Sequence, residues 1–284
     1  MKTISARAAA WAARSGAVAL FALAAVCGAR AQGNQTAGPN LMVSGNEMAE
    51  REDLSNMDAL GDKDEVAAFK AFQKESASAK KIQLGNNFLK KYPKSKLAER
   101  VDIGMMSAYD AQQDWKDTYL FADNALALKP DDVDALTTVS WTIPHVYDPN
   151  ETDADQQLDK AEKYAKHAIE VLATMPKPPD MNNTQFEATK TKRLVQAHSA
   201  LGLVYFRRDD YDKSIPELEQ STKGNPAPDA TDLYVLGVDL QNLKRYSEAA
   251  DAFGSCGAIA GPLQGQCKQS AVSAKALATV TQTK

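Results

Sequence analysis

Residues 201–226 read LGLVYFRRDDYDKSIPELEQSTKGNP, and residues 236–262 read LGVDLQNLKRYSEAADAFGSCGAIAGP. Set one above the other, Leu201-Gly202-x-x-Tyr205 meets Leu236-Gly237-x-x-Leu240. Tyr211 meets Tyr246, Ser214 meets Ala249, Leu218 meets Phe253 and Ser221 meets Cys256. Pro226 falls where Gly261-Pro262 falls, and the offset is 35 residues. A sustained offset of this size marks stacked repeats, each too small to bury its apolar face alone. Within each copy the apolar residues recur every three or four positions, which is helical spacing. Two antiparallel helices joined by a tight turn must approach closely, so a glycine belongs at the contact with large residues around it.

Working outward, Tyr109, Trp115, Ala122, Ala125 and Pro130 repeat the pattern, with Met106 where a small residue is expected. Further on, Leu136, Val139 and Ser140 open a helix that Ala161, Ala165 and Ala168 answer. Between them the spacing predicts an insertion over 141–155. The earliest copy, about 64–93, is the most degenerate. Here the chain resembles the tetratricopeptide repeat family over about 64–262, most closely in the last two copies. The resemblance implies an all-α fold, a right-handed α-solenoid of about five helix-turn-helix units. A C-terminal capping helix at about 263–280 closes the stack. Phe88-Leu-Lys-Lys-Tyr-Pro-Lys-Ser95 is also similar to exported helical-repeat proteins of outer-membrane assembly. The box Thr184-x-x-Glu187 predicts a helix restart after the proline-rich loop 173–184.

The first 31 residues read as an export signal. Lys2, Arg7 and Arg14 precede an apolar run from Ala17 to Ala25, and Ala29-Arg30-Ala31 offers small residues to a signal peptidase. Cleavage near Ala31 predicts a periplasmic or secreted protein with no integral membrane span. It also takes the net charge from −4 to −8, since residues 1–31 carry four basic residues and no acid. So acidic a chain, without a basic stripe, is a poor nucleic-acid binder. Residues 32–61, rich in Gly, Asn, Ser and acids, read as a flexible leader to a repeat domain over 62–284. After cleavage Cys256 and Cys267 remain, a candidate disulfide in an oxidising compartment, with buried free thiols as the alternative.

No phosphate-cradling loop, His-Glu-x-x-His or Gly-x-Ser-x-Gly is present, so the reading is of no enzyme, no cofactor and no metal. The resemblance places a partner groove on successive first helices. Its positions are Arg100, Ile103, Ser107 and Asp110, then Gln196, Ser199, Leu203 and Phe206, then Tyr234, Val238 and Gln241. This mixture suits an extended peptide or a partner helix, although several of the residues are also expected to pack against the next repeat. The family's Lys/Asn/Arg clamp for a terminal carboxylate is absent. Trp141, His145, Tyr147 and Asp148 mark the insertion as a connector or a second binding element. Asp148-x-Asn150 begins like a calcium loop but lacks the glycine at its sixth position, where Asp153 stands. The expected function is a binding scaffold for a protein or peptide. An accessory role in envelope or outer-membrane assembly is the alternative, and a metal-binding or enzymatic insertion comes behind both.

Overall fold

The structure is a computed structural model that describes residues 62–179 and 181–282. The export signal (1–31) and the leader (32–61) lie outside the described residues. Eleven helices account for the fold, with no strand among the described residues. They are α1 (Lys63–Lys74), α2 (Ser78–Lys91), α3 (Ala98–Ala111), α4 (Trp115–Leu128), α5 (Val133–His145) and α6 (Ala154–Thr174). Then come α7 (Asn183–Arg207), α8 (Tyr211–Thr222), α9 (Ala230–Asn242), α10 (Tyr246–Ala258) and α11 (Gln264–Gln282). The chain divides into two compact units at Arg207–Arg208.

In the first unit each helix packs on the next from α1 to α7. The odd helices also pack on one another, α1 on α3, α3 on α5 and α5 on α7. Small residues permit this layering. A Cβ on Gly104 of α3 would stand 2.5 Å from the Phe72 ring of α1, and one on Gly85 of α2 would run into the side chain of Met105. Gly104 thus serves the contact of α3 with α1, while Met106, where the repeat pattern expects a small residue, is fully buried. Phe69, Phe72 and Phe88 fill the space beneath, with Phe69 and Phe88 edge to face at 6.1 Å. On α6 the stripe Ala161, Ala165 and Ala168 is fully buried. Its short side chains let α5 and α7 both lie against that helix.

In the second unit α8 packs on α9, α9 on α10 and α10 on α11. Cys256 of α10 and Cys267 of α11 are joined by a disulfide, with their Cα atoms 5.7 Å apart. The last helix begins at Gln264 and runs to Gln282, close to the span read from sequence.

Three turns share one conformation. Gln113 before α4, Asp209 before α8 and Lys244 before α10 all adopt positive φ, between 56° and 61°. The residue after Gln113 donates its N–H to Tyr109 O, and the residue after Lys244 donates to Leu240 O, each five positions back. That is the six-to-one bond of a left-handed helix stop. Asp209 and Lys244 lie 35 residues apart, the period read from sequence.

Helix starts follow the acids. Asp62, Asp114, Asp132 and Asp229 each accept a backbone N–H of the following turn, at 2.6–3.3 Å. The restart of α7 differs from the expected box. Asn182 rather than Thr184 supplies the cap, its Oδ1 accepting from Gln185 N at 2.9 Å, because the helix begins at Asn183.

Candidate functional site

The expected groove positions fall into three environments. Ile103, Gln196, Ser199, Leu203, Phe206 and Tyr234 are buried. Arg100, Ser107, Asp110 and Val238 are half-buried, and Gln241 alone is exposed. Each buried position belongs to an odd helix whose face is covered by packing, and a helical face cannot be both core and open groove. On α9 the Tyr234 hydroxyl accepts from Gln266 Nε2 of α11 at 2.6 Å, and its ring meets Phe253 at 5.6 Å. Tyr234 therefore holds helices together within its own unit.

The segment expected as an insertion loop is helical at both ends. Trp141 and His145 sit in the last turns of α5, and the irregular stretch is only 146–153. Pro144 does not end the helix earlier, because so near the C-terminus it forfeits a single backbone bond. The freed end is held from α7. Arg207 donates from Nε and Nη2 to Pro144 O at 3.3 and 3.1 Å, and its guanidinium lies 5.4 Å from the Tyr147 ring centre. A cation at a helix C-terminus also suits the helix dipole. Trp141 and His145 stack at 3.8 Å, and His145 Nδ1 lies 2.6 Å from Trp141 O, so Nδ1 carries the proton. Asp148 is used by its own turn, its Oδ1 accepting from Asn150 N at 2.9 Å and from Asn150 Nδ2 at 2.8 Å. Among the described residues no three His, Cys, Asp or Glu side chains come together as a metal site.

Acids dominate the inner polar groups. Burial pushes the Asp102 carboxyl up to about 7. On α3, Asp110 is pushed up to about 6, with the Thr142 hydroxyl of α5 pulling the other way. On α9, Asp239 is fully buried and pushed up to about 8, desolvation outweighing the Ser214 hydroxyl of α8, and Asp209 adding to the rise. Burial and the neighbouring Asp132 likewise raise Glu99. Two further buried acids have partners on a neighbouring helix. Arg193 of α7 forms an ion pair with Asp134 of α5, both almost wholly buried, and its Nη1 donates to Gln196 Oε1 at 2.9 Å. Ser221 of α8 donates to Asp232 of α9 at 2.8 Å. None of these partnerships was read from sequence. The available signal was a lone aspartate inside an apolar run, as in Leu236-Gly-Val-Asp239-Leu240.

His167 bridges to Asp131, its Nε2 2.8 Å from Oδ1, at a half-exposed position. No family model matches this chain, and no curated protein matches it. Among the described residues no helix is long and apolar enough to cross a membrane.

Proposed function

We propose that this chain is an exported scaffold of the tetratricopeptide kind, which holds a protein or peptide partner against its odd helices and performs no catalysis. The reading takes the eleven helices as five right-handed helix-turn-helix units and a cap, with the leader preceding them. The observation that carries it is the packing of α1 on α3, α3 on α5 and α5 on α7. A second layer of contacts, between alternate helices, is what a stack of hairpins makes and a closed bundle does not require. The three positive-φ turns, two of them one period apart, support the same repeat.

The partner surface in the first unit is narrower than the sequence suggested. It consists of the half-buried Arg100, Ser107 and Asp110 on α3 with Trp141 and His145 on α5. The test is a photo-crosslinking amino acid placed at Ser107 or Trp141 of the full chain, compared with Lys116 and Lys163 on even helices. A discrete crosslinked product from the odd-helix positions alone supports the scaffold. Equal labelling from both sets, or none, rejects it. An accessory role in envelope assembly is the second reading, motivated by the Phe88–Ser95 segment. Depletion that leaves the outer-membrane protein inventory unaltered rejects that role.

A further inference from the structure

The expectation of an acidic chain without a basic stripe fails at α2. Residues 101–284 carry 18 basic and 27 acidic side chains, whereas residues 78–96 carry six lysines and no acid. Some of these charges are accounted for locally. Lys80 has Glu75 at 3.9 Å, and Lys81 lies over the Phe72 ring. Lys90 and Lys91, in the last turn of α2, answer the helix dipole. Lys94 and Lys96 stand beyond the helix and have no such role. Lys90, Lys94 and Lys96 are exposed, and none of them pairs with an acid among the described residues. The turn that carries the last two is ordered. Ser95 N donates to Tyr92 O at 3.0 Å, and Ser95 Oγ accepts from Leu97 N at 2.9 Å.

The same corner is where the chain enters the fold. Tyr92, then Asp64 and Asp62, raise the Lys91 ammonium, so the start of α1 lies beside the end of α2. Asp62 caps α1, and the stretch just before it is acidic. Residues 47–58, outside the described residues, hold Glu47, Glu50, Glu52, Asp53 and Asp58 against the single base Arg51. Asp58 and Glu47 precede Asp62 by four and fifteen residues, a reach of up to about 13 and about 50 Å. We propose that the acidic segment 47–58 of this chain docks on the basic corner formed by Lys90, Lys94 and Lys96. A single exposed ion pair is weak. Here several act together, and the short tether holds the segment at an effective concentration of about millimolar. Docked, it screens this corner from other anionic surfaces. The contact uses an even helix and the turn after it, so it does not depend on the odd-helix surface proposed above.

The test is carbodiimide crosslinking of the full chain, mapped by mass spectrometry on a mixture of light and heavy isotope-labelled protein. Carboxylates of residues 47–58 are expected to join Lys90, Lys94 or Lys96 of the same copy, and not Lys116 or Lys163. Cleavage after Arg51 by an arginine-specific protease gives an independent readout. Lys90→Gln, Lys94→Gln and Lys96→Gln together should speed that cleavage about tenfold, since cleavage tracks the open population. The same loss of charge at Lys116, Lys163 and Lys275, all exposed, should leave the rate unaltered. High salt should speed cleavage of the unsubstituted chain and not of the Lys90, Lys94 and Lys96 variant. No crosslink from residues 47–58, crosslinks spread equally over Lys116 and Lys163, products joining two copies, or equal cleavage of the two triple variants would overturn the proposal.

Discussion

Gly237 lies beneath the ring of Phe253, so close that a Cβ on the glycine would stand 2.6 Å from two ring carbons. Phe253 is buried to within 1% and cannot swing away. In a helix interior, alanine ordinarily gains about 1 kcal/mol over glycine. Here the overlap outweighs that gain. Gly237→Ala is expected to destabilise the protein by about 1–3 kcal/mol, read as a lower urea midpoint. Gly254 supplies the control, since nothing lies within 4 Å of its would-be Cβ on α10. Gly254→Ala should stabilise by up to about 1 kcal/mol.

Lys244 and Gln113 hold positive φ without being glycine. A side chain costs about 1 kcal/mol in that conformation. Lys244→Gly should therefore raise the urea midpoint modestly, and a fall would show that the Lys244 side chain contributes more than its backbone costs.

Stability should fall as pH rises from about 4 to about 8. Burial raises Asp102 to about 7 and Asp239 to about 8. Between the ordinary carboxylate range and those values the folded chain binds more protons than the unfolded one, so the slope of unfolding free energy against pH is negative. The stability these groups contribute is complete below the unfolded value and is lost as pH climbs through the folded one. Asp239→Asn should flatten the upper part of that decline, by on the order of a few kcal/mol between pH 5 and 9. A urea titration at several pH values checks it.

The ion pair of Asp134 with Arg193 should behave asymmetrically. Arg193→Met leaves a carboxylate buried without its cation, which costs about 3–5 kcal/mol. Asp134→Leu together with Arg193→Met removes both charges and should cost clearly less than either single change. Thermal unfolding of the three variants decides the sign of the coupling.

The disulfide closes a short loop between α10 and α11. Replacing Cys256 and Cys267 by serine should cost about 2–3 kcal/mol, mostly through the unfolded chain. Denaturant unfolding with and without reductant reads the same quantity. If reduction leaves the midpoint unaltered, the bridge does not hold the last helix.

Local order was legible in the sequence wherever one rule dominated. Helical spacing, the 35-residue offset from Gly202 to Gly237, and the small residue facing an aromatic at Gly237 all rest on neighbours within one or two helices. The run from Trp141 to Asn150 was legible as a departure from the repeat spacing, although residues 141–145 are helix. The groove was the weaker reading. A stripe of Ile103, Leu203, Phe206 and Tyr234 at helical spacing serves a core or a groove equally well, and the sequence has no term that distinguishes them.

What the amino-acid order determined by itself is the helical register: which residues share a face, where aspartates begin helices and where the chain turns. These follow from φ/ψ preferences and the 3.6-residue period, which act over a few positions. Only the tertiary structure decided which face was covered. It sealed Tyr234 and Ile103 into the interior and paired Arg193 with Asp134 across 59 positions of chain. Burial depends on what other helices place against a surface, and no local preference carries that information.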